Sequence, residues 1–179
     1  DKAIVFDYFI LDLEKKEIID YNNLAMRNDD PDDFPKGVGK IKDIKRVPSA
    51  EGLTIQIMPE EGEIVEIKLN KHNEIIGYIN PNVTQIGGSF LYNNNSLTSI
   101  DLPNVTQIGG SFLFHNNSLT SKDLPNVTLI GDYFLFNNNS LTSIDLPNVT
   151  QIGGSFLYDN ESLTSIDLPN VTQIGGSFL

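Results

Sequence analysis

The sequence predicts a mostly β solenoid of stacked 22-residue turns with little helix, preceded by a small β-rich N-terminal segment. Three observations carry this. From Pro81 onward the text PNVTQIGGSFLYNNNSLTSIDL copies itself, with proline at positions 81, 103, 125, 147 and 169. Within each copy, short runs alternate apolar and polar residues with the two-residue period of strands. The intervening GGSFLYNNNS, with two glycines and three asparagines, is a poor helix former and returns the chain in turns. A unit this short cannot bury its own apolar side, so successive copies stack and like residues form columns.

Composition narrows the function classes. The chain has 179 residues, 24 acids against 12 Lys plus Arg, a formal net charge of −12 and no cysteine or tryptophan. Disulfides, cysteine-based zinc sites and a cysteine nucleophile are excluded, and no run approaches the roughly 18 consecutive apolar residues of a membrane span. A pI near 4.4 argues against nucleic acid as a partner, because that affinity comes from clustered Lys and Arg.

Residues 1–72 carry no copy of the repeat and read as a β-rich cap or domain, with the solenoid over 73–179. AIVFDYFILDLEKKEIIDYN predicts two strands about the Glu14–Glu17 turn. Leu24–Arg27 reads as a short helical turn and NDDPDDFP, from Asn28 to Pro35, as a solvated acidic loop without the spacing of a calcium-binding EF-hand. LTIQIMPEEGEIVEIKLNKHNEIIGYIN predicts strands turning at Glu61-Gly62 and His72-Asn73. IIGYINPNVTQIG aligns with LTSIDLPNVTQIG but has Asn80 where the next turn has Leu102, as expected of a degenerate capping repeat. The text stops in mid-repeat at Leu179, which reads as a truncated array.

Within a turn, Ser99-Ile100-Asp101-Leu102 predicts a strand with Ile100 and Leu102 inward and Ser99 and Asp101 outward. Pro103-Asn104 makes a corner, and Val105–Ile108 a second short strand. Phe90, Phe112, Phe134, Phe156 and Phe178, each followed by leucine, predict a core column. Asn94, Asn116, Asn138 and Asn160 predict a buried ladder whose amides pair with turn backbone and with one another. Gly87, Gly109, Gly131, Gly153 and Gly175 are expected at positive φ, and the next site, Asp132 in one turn, is less demanding.

The pattern N-x-x-L-x-x-I-x-L-P-x-V-x-x-I-G, as in Asn94 to Gly109, followed by Phe112, resembles the BspA-type, or Treponema-type, leucine-rich repeat over roughly residues 75–179. The family unit has one more residue before the phenylalanine, and its alanine there is serine or tyrosine here. The resemblance implies a leucine-rich-repeat solenoid on an extracellular or cell-surface protein. It also implies a partner that is protein or glycan on a host, matrix or microbial surface.

Candidate binding residues follow from the strands. Asp101, Asp123, Asp145 and Asp167 form an outward column beside Ser99, Ser121, Ser143 and Ser165, on the concave face of a leucine-rich repeat. Carboxylates at strand spacing invite a cation or a basic partner, against the plain reading of a solvated face copied by duplication. Lys122 breaks the inward column of Ile100, Ile144 and Ile166 and needs to snorkel or meet a carboxylate such as Asp123. Drift in a tolerant array is the plainer reading of it, a binding hot spot the sharper one. His115, Leu129, Asp132 and Tyr133 also break the repeat. With only His72 and His115, no metal cluster or histidine acid/base pair assembles, and no nucleophile, base and orienter recur at common spacing. The chain reads as a non-enzymatic binding or adhesion module without cofactor. A structural spacer or stalk is the alternative. Ice or lattice binding through Thr84, Thr106, Thr128, Thr150 and Thr172 is a minor one.

Overall fold

The computed structural model describes residues 2–5, 9–20 and 38–178, and among these every regular element is a strand. The readings for Leu24–Arg27 and Asn28–Pro35 lie outside the described residues. Ala3–Val5 (β1), Phe9–Asp12 (β2) and Glu17–Asp20 (β3) form an antiparallel sheet in that order. The expected first strand is therefore two, with Ile4 opposite Leu11. The β2–β3 turn is held by the Asp12 carboxylate, which accepts hydrogen bonds from the Glu14 and Lys15 amides at 2.9 and 2.8 Å.

A five-stranded sheet follows, from Ile41–Pro48 (β4), Gly52–Pro59 (β5), Val65–Asn70 (β6) and Ile75–Ile79 (β7), which pair antiparallel in sequence order. Its core side is the alternating set Ile55, Ile57, Val65, Ile67 and Leu69, all buried. Sequence reading missed β4, because IKDIKRVP lacks clean alternation. The register shifts between Ile41 and Asp43, and most of this edge strand is exposed.

The fifth strand belongs to the repeats. Ser99–Asp101 (β9) pairs in parallel with β7, placing Tyr78 beside Ile100. Asn80, where a regular turn has leucine, is fully buried; its amide donates to the Tyr78 hydroxyl at 2.8 Å and its oxygen accepts from the Asn82 amide at 2.9 Å. The degenerate first turn thus satisfies its polar substitution internally.

Two parallel ladders run along the stack. Gln85–Ile86 (β8), Gln107–Ile108 (β10), Leu129–Ile130 (β12), Gln151–Ile152 (β14) and Gln173–Ile174 (β16) form one continuous sheet. Ser121–Asp123 (β11), Ser143–Asp145 (β13) and Ser165–Asp167 (β15) form another. Between the sheets lies a column of phenylalanines, Phe90 to Phe178, stacked with ring centroids 5.3–5.6 Å apart. Tyr78 meets Phe90 at 5.7 Å and closes the N-terminal end of that column.

The return limb corrects one expectation. The repeat glycines 87, 109, 131, 153 and 175 are not at positive φ; in the second turn Ser111, Leu113 and His115 hold it instead, at 56°, 52° and 55°. Left-handed backbone costs an L-residue about 1–2 kcal/mol, and hydrogen bonds to both adjacent turns offset it. The amides of Ser111 and His115 donate forward to Asp132 and Phe136, and that of Leu113 donates back to Phe90, all at 2.9 Å. The glycines are required by proximity: a Cβ on Gly109 would lie 2.8 Å from the Gly87 carbonyl carbon. At Gly110 the nearest atom would be 3.4 Å away, which is why Asp132 is accepted at that site.

Candidate binding face

The strand periodicity places Asp101, Asp123, Asp145 and Asp167 outward, and all four are exposed. Register puts Asp123 beside Asp145 and Asp145 beside Asp167, with Ser121, Ser143 and Ser165 in line next to them. Ser99 and Ser165 are exposed and Ser143 half-buried. Nine of the residues singled out from sequence therefore lie on one series of short strands. The series is not continuous: β9 pairs with β7 and β11 with β13, while β9 and β11 do not pair with each other.

Lys122 sits at that break. It is 9% exposed in a column otherwise filled by isoleucine, and its ammonium donates to the Ile100 carbonyl at 2.9 Å. The partner is thus a main-chain oxygen on the edge of β9, not a carboxylate. Burial pushes its pKa below the ordinary lysine value, against the opposing pull of Asp101 and Asp123. The ammonium thus takes a carbonyl of β9 at the point where β9 and β11 are unpaired. A cleft of about 410 Å³ lies there, lined by Thr98, Ser99, Ile100, Asp101, Leu102, Pro103, Lys122, Asp123 and Pro125. Its lining combines the apolar Ile100 and Leu102, two prolines, two hydroxyl residues, two aspartates and Lys122. Such a cleft can seat one side chain or small polar group, fixed by charge and by hydroxyls.

The remaining columns serve the stack. Asn116 and Asn138 are fully buried, and Asn160 is half-buried. Asn138 donates to the Leu113 and Phe136 carbonyls at 2.9 and 3.0 Å, while its oxygen accepts from the Asn116 amide at 3.2 Å. Asn94 is half-buried and donates to Tyr92, and the Asn116 side-chain oxygen is buried without a partner. The exposed threonine column is tied along the stack: the hydroxyls of Thr106, Thr128, Thr150 and Thr172 each donate to the preceding threonine carbonyl at 3.1–3.2 Å.

One surface column escaped the sequence reading. Tyr92, Phe114, Phe136 and Tyr158 repeat at the same spacing and stack with centroids 4.9, 4.6 and 5.3 Å apart. The signal was present as an all-aromatic position in four turns, overlooked beside the invariant phenylalanines. His115, one of the repeat-breaking residues, is half-buried with its ring 4.5 Å from Phe114.

Among the described residues no group of three His, Asp or Glu side chains is placed to hold a metal ion, and no helix is long and apolar enough to cross a membrane. The model of the BspA type leucine rich repeat region matches six copies over residues 64–179. No curated protein and no solved structure matched the chain.

Proposed function

Since the chain belongs to the BspA-type leucine-rich-repeat family, whose members are commonly surface or secreted interaction proteins, we propose that it is a non-enzymatic adhesion module. On this reading it lies outside the cell and binds a basic segment of a host, matrix or microbial surface protein. The concave strip of Ser99, Asp101, Ser121, Lys122, Asp123, Ser143, Asp145, Ser165 and Asp167 is the docking face, and residues 1–72 are its cap.

The observation that carries the reading is the cleft between β9 and β11, where Asp101 and Asp123 flank a gap in an otherwise close-stacked surface. Lys122 is the single Lys or Arg after residue 80, and its one charge faces Asp101 and Asp123 together, so the outward carboxylates keep a net negative charge for an incoming cation. A partner's Lys or Arg stem fits against the two prolines while its head reaches the carboxylates.

A structural spacer is the second reading, favoured by the near-identical stacked turns. One experiment separates the two. Matrix and mucin proteins are captured on immobilised protein and on a variant with Asp101, Asp123, Asp145 and Asp167 changed to Asn, with circular dichroism confirming that both are folded. Adhesion through the strip predicts capture by the parent that weakens with added salt and vanishes in the variant. Equal retention by both proteins, or by neither, removes the strip from consideration and moves the spacer ahead.

A further inference from the structure

The aromatic column lies on the return limb of the turns, apart from both strand faces, and core filling does not account for it. The phenylalanine column is complete without it. Tyr92, Tyr133 and Tyr158 are 38%, 47% and 44% exposed, around the half-buried rings of Phe114 and Phe136. Tyr133 is the least expected member. It occupies a position where the other turns have Ser89, Ser111, Ser155 and Ser177, and it keeps the left-handed φ of 57° that a bulky side chain disfavours. Its ring lies 6.4 and 6.1 Å from Phe114 and Phe136 at 60° to both. It therefore braces the stack edge-on without joining it, and ring surface is left facing solvent.

We propose that this strip is a binding site for neutral hexopyranose glycans, with Tyr133 as the platform on which a sugar ring stacks. A pyranose presents apolar C–H groups on one face and hydroxyls around its rim, so it needs an aromatic surface bordered by neutral hydrogen-bonding groups. Around Tyr92, Phe114, Tyr133 and Phe136 the border has that character, with Asn93, Asn117 and Asn139 as exposed amides and Ser111 and Ser155 as half-exposed hydroxyl residues; beside Tyr158 the same positions carry the exposed carboxylates of Asp159 and Glu161, which accept from sugar hydroxyls and repel anionic sugars. Charge selects within the glycans. The Asp132 carboxylate beside Tyr133 is engaged by the Gly154 amide at 2.6 Å, and no Lys or Arg stands on this limb. A chain of net charge −12 with no cation at the strip disfavours sialylated or sulfated sugars. Spacing adds reach. The rings of the column recur every 4.6–5.3 Å and lie nearly parallel, so a glycan stacked on Tyr133 and running along the column meets ring edges and, at its two ends, the hydroxyls of Tyr92 and Tyr158.

The test is an array of neutral, sialylated and sulfated oligosaccharides probed with the full chain, followed by calorimetry on a retained neutral oligosaccharide. Tyr133→Ser installs the residue the other turns carry, and Tyr158→Ala acts at the far end of the column, so a failure of one to fold leaves the other informative. The expected result is retention of neutral glycans, weakened about tenfold or more by either variant and unchanged by the four Asp→Asn substitutions on the strand face. Retention of acidic glycans alone, no retention at all, or undiminished binding by both folded tyrosine variants overturns the proposal. Because the strand-face variant is scored in parallel, failure here is distinct from failure of the adhesion reading.

Discussion

Asn138 stands where three hydrogen bonds converge: two carbonyls from different turns accept from its side-chain amide, and the backbone amide of the preceding ladder residue, Asn116, donates to its oxygen. An alanine there strands buried backbone groups of two turns. Asn94, at the first rung, makes one such bond in a half-buried setting, and the asparagine above it already leaves its oxygen unpaired. Asn138→Ala is therefore expected to lower stability by about 2–5 kcal/mol and Asn94→Ala by less than half as much. Urea unfolding of the two variants checks this, and equal losses would show that the ladder is not what holds the turns in register. The ladder residues were legible in the sequence because they never vary among turns. The orphaned oxygen was not, since it depends on where the first turn's backbone falls.

At the scale of one turn, the decisive contacts are between backbones. Stacked glycines bring successive chains so near that a methyl group at Gly131 would lie 2.8 Å from the Gly109 carbonyl carbon, whereas at Gly110 the nearest atom is 3.4 Å away. Gly131→Ala is expected to destabilise the array by about 1–3 kcal/mol through overpacking, and Gly110→Ala to be nearly neutral. Thermal unfolding of the pair gives the comparison. Two large losses would mean that both sites share a conformational demand for glycine. The invariant glycine column was visible in sequence, but its reason was not. Positive φ and close approach both select glycine, and only the stacked geometry distinguishes them.

For the whole molecule, the break between β9 and β11 divides the strand face next to the N-terminal sheet. Lys122 sits at that break, with an ammonium where isoleucine packs in neighbouring turns. Lys122→Ile is expected to close the cleft and raise stability by about 1–4 kcal/mol, and the amides of residues 121–123 should exchange more slowly than in the parent. The gain depends on pH in a defined sense. The unfolded lysine holds its proton up to about the ordinary value of 10.5, while the folded one releases it at lower pH. Between those values the unfolded chain binds more protons, so the parent's stability rises with pH relative to the isoleucine variant. The difference between the two proteins should therefore narrow as pH increases toward 10.5, as read from urea midpoints at neutral and alkaline pH. A constant difference would show that the buried ammonium is not the source of the weakness.

The sequence by itself determined the solenoid, the 22-residue turn and the columns, because stacking puts every equivalent position in one line and period-two alternation sorts each strand into inner and outer faces. It also marked Asp101, Asp123, Asp145 and Asp167 as outward and Lys122 as anomalous. Tertiary structure decided what those marks mean. Whether a buried lysine snorkels, pairs or splits a ladder depends on the acceptor within its reach, and here that is the Ile100 carbonyl. Whether an aromatic column is core or surface depends on which limb of the turn faces the other columns. Pairing of β7 with β9, which joins the N-terminal sheet to the first turn, is likewise a contact between segments of different pattern. Periodicity is a local property and can be read along the chain, whereas acceptors, clefts and exposed rings arise from distances between residues that the chain order does not contain.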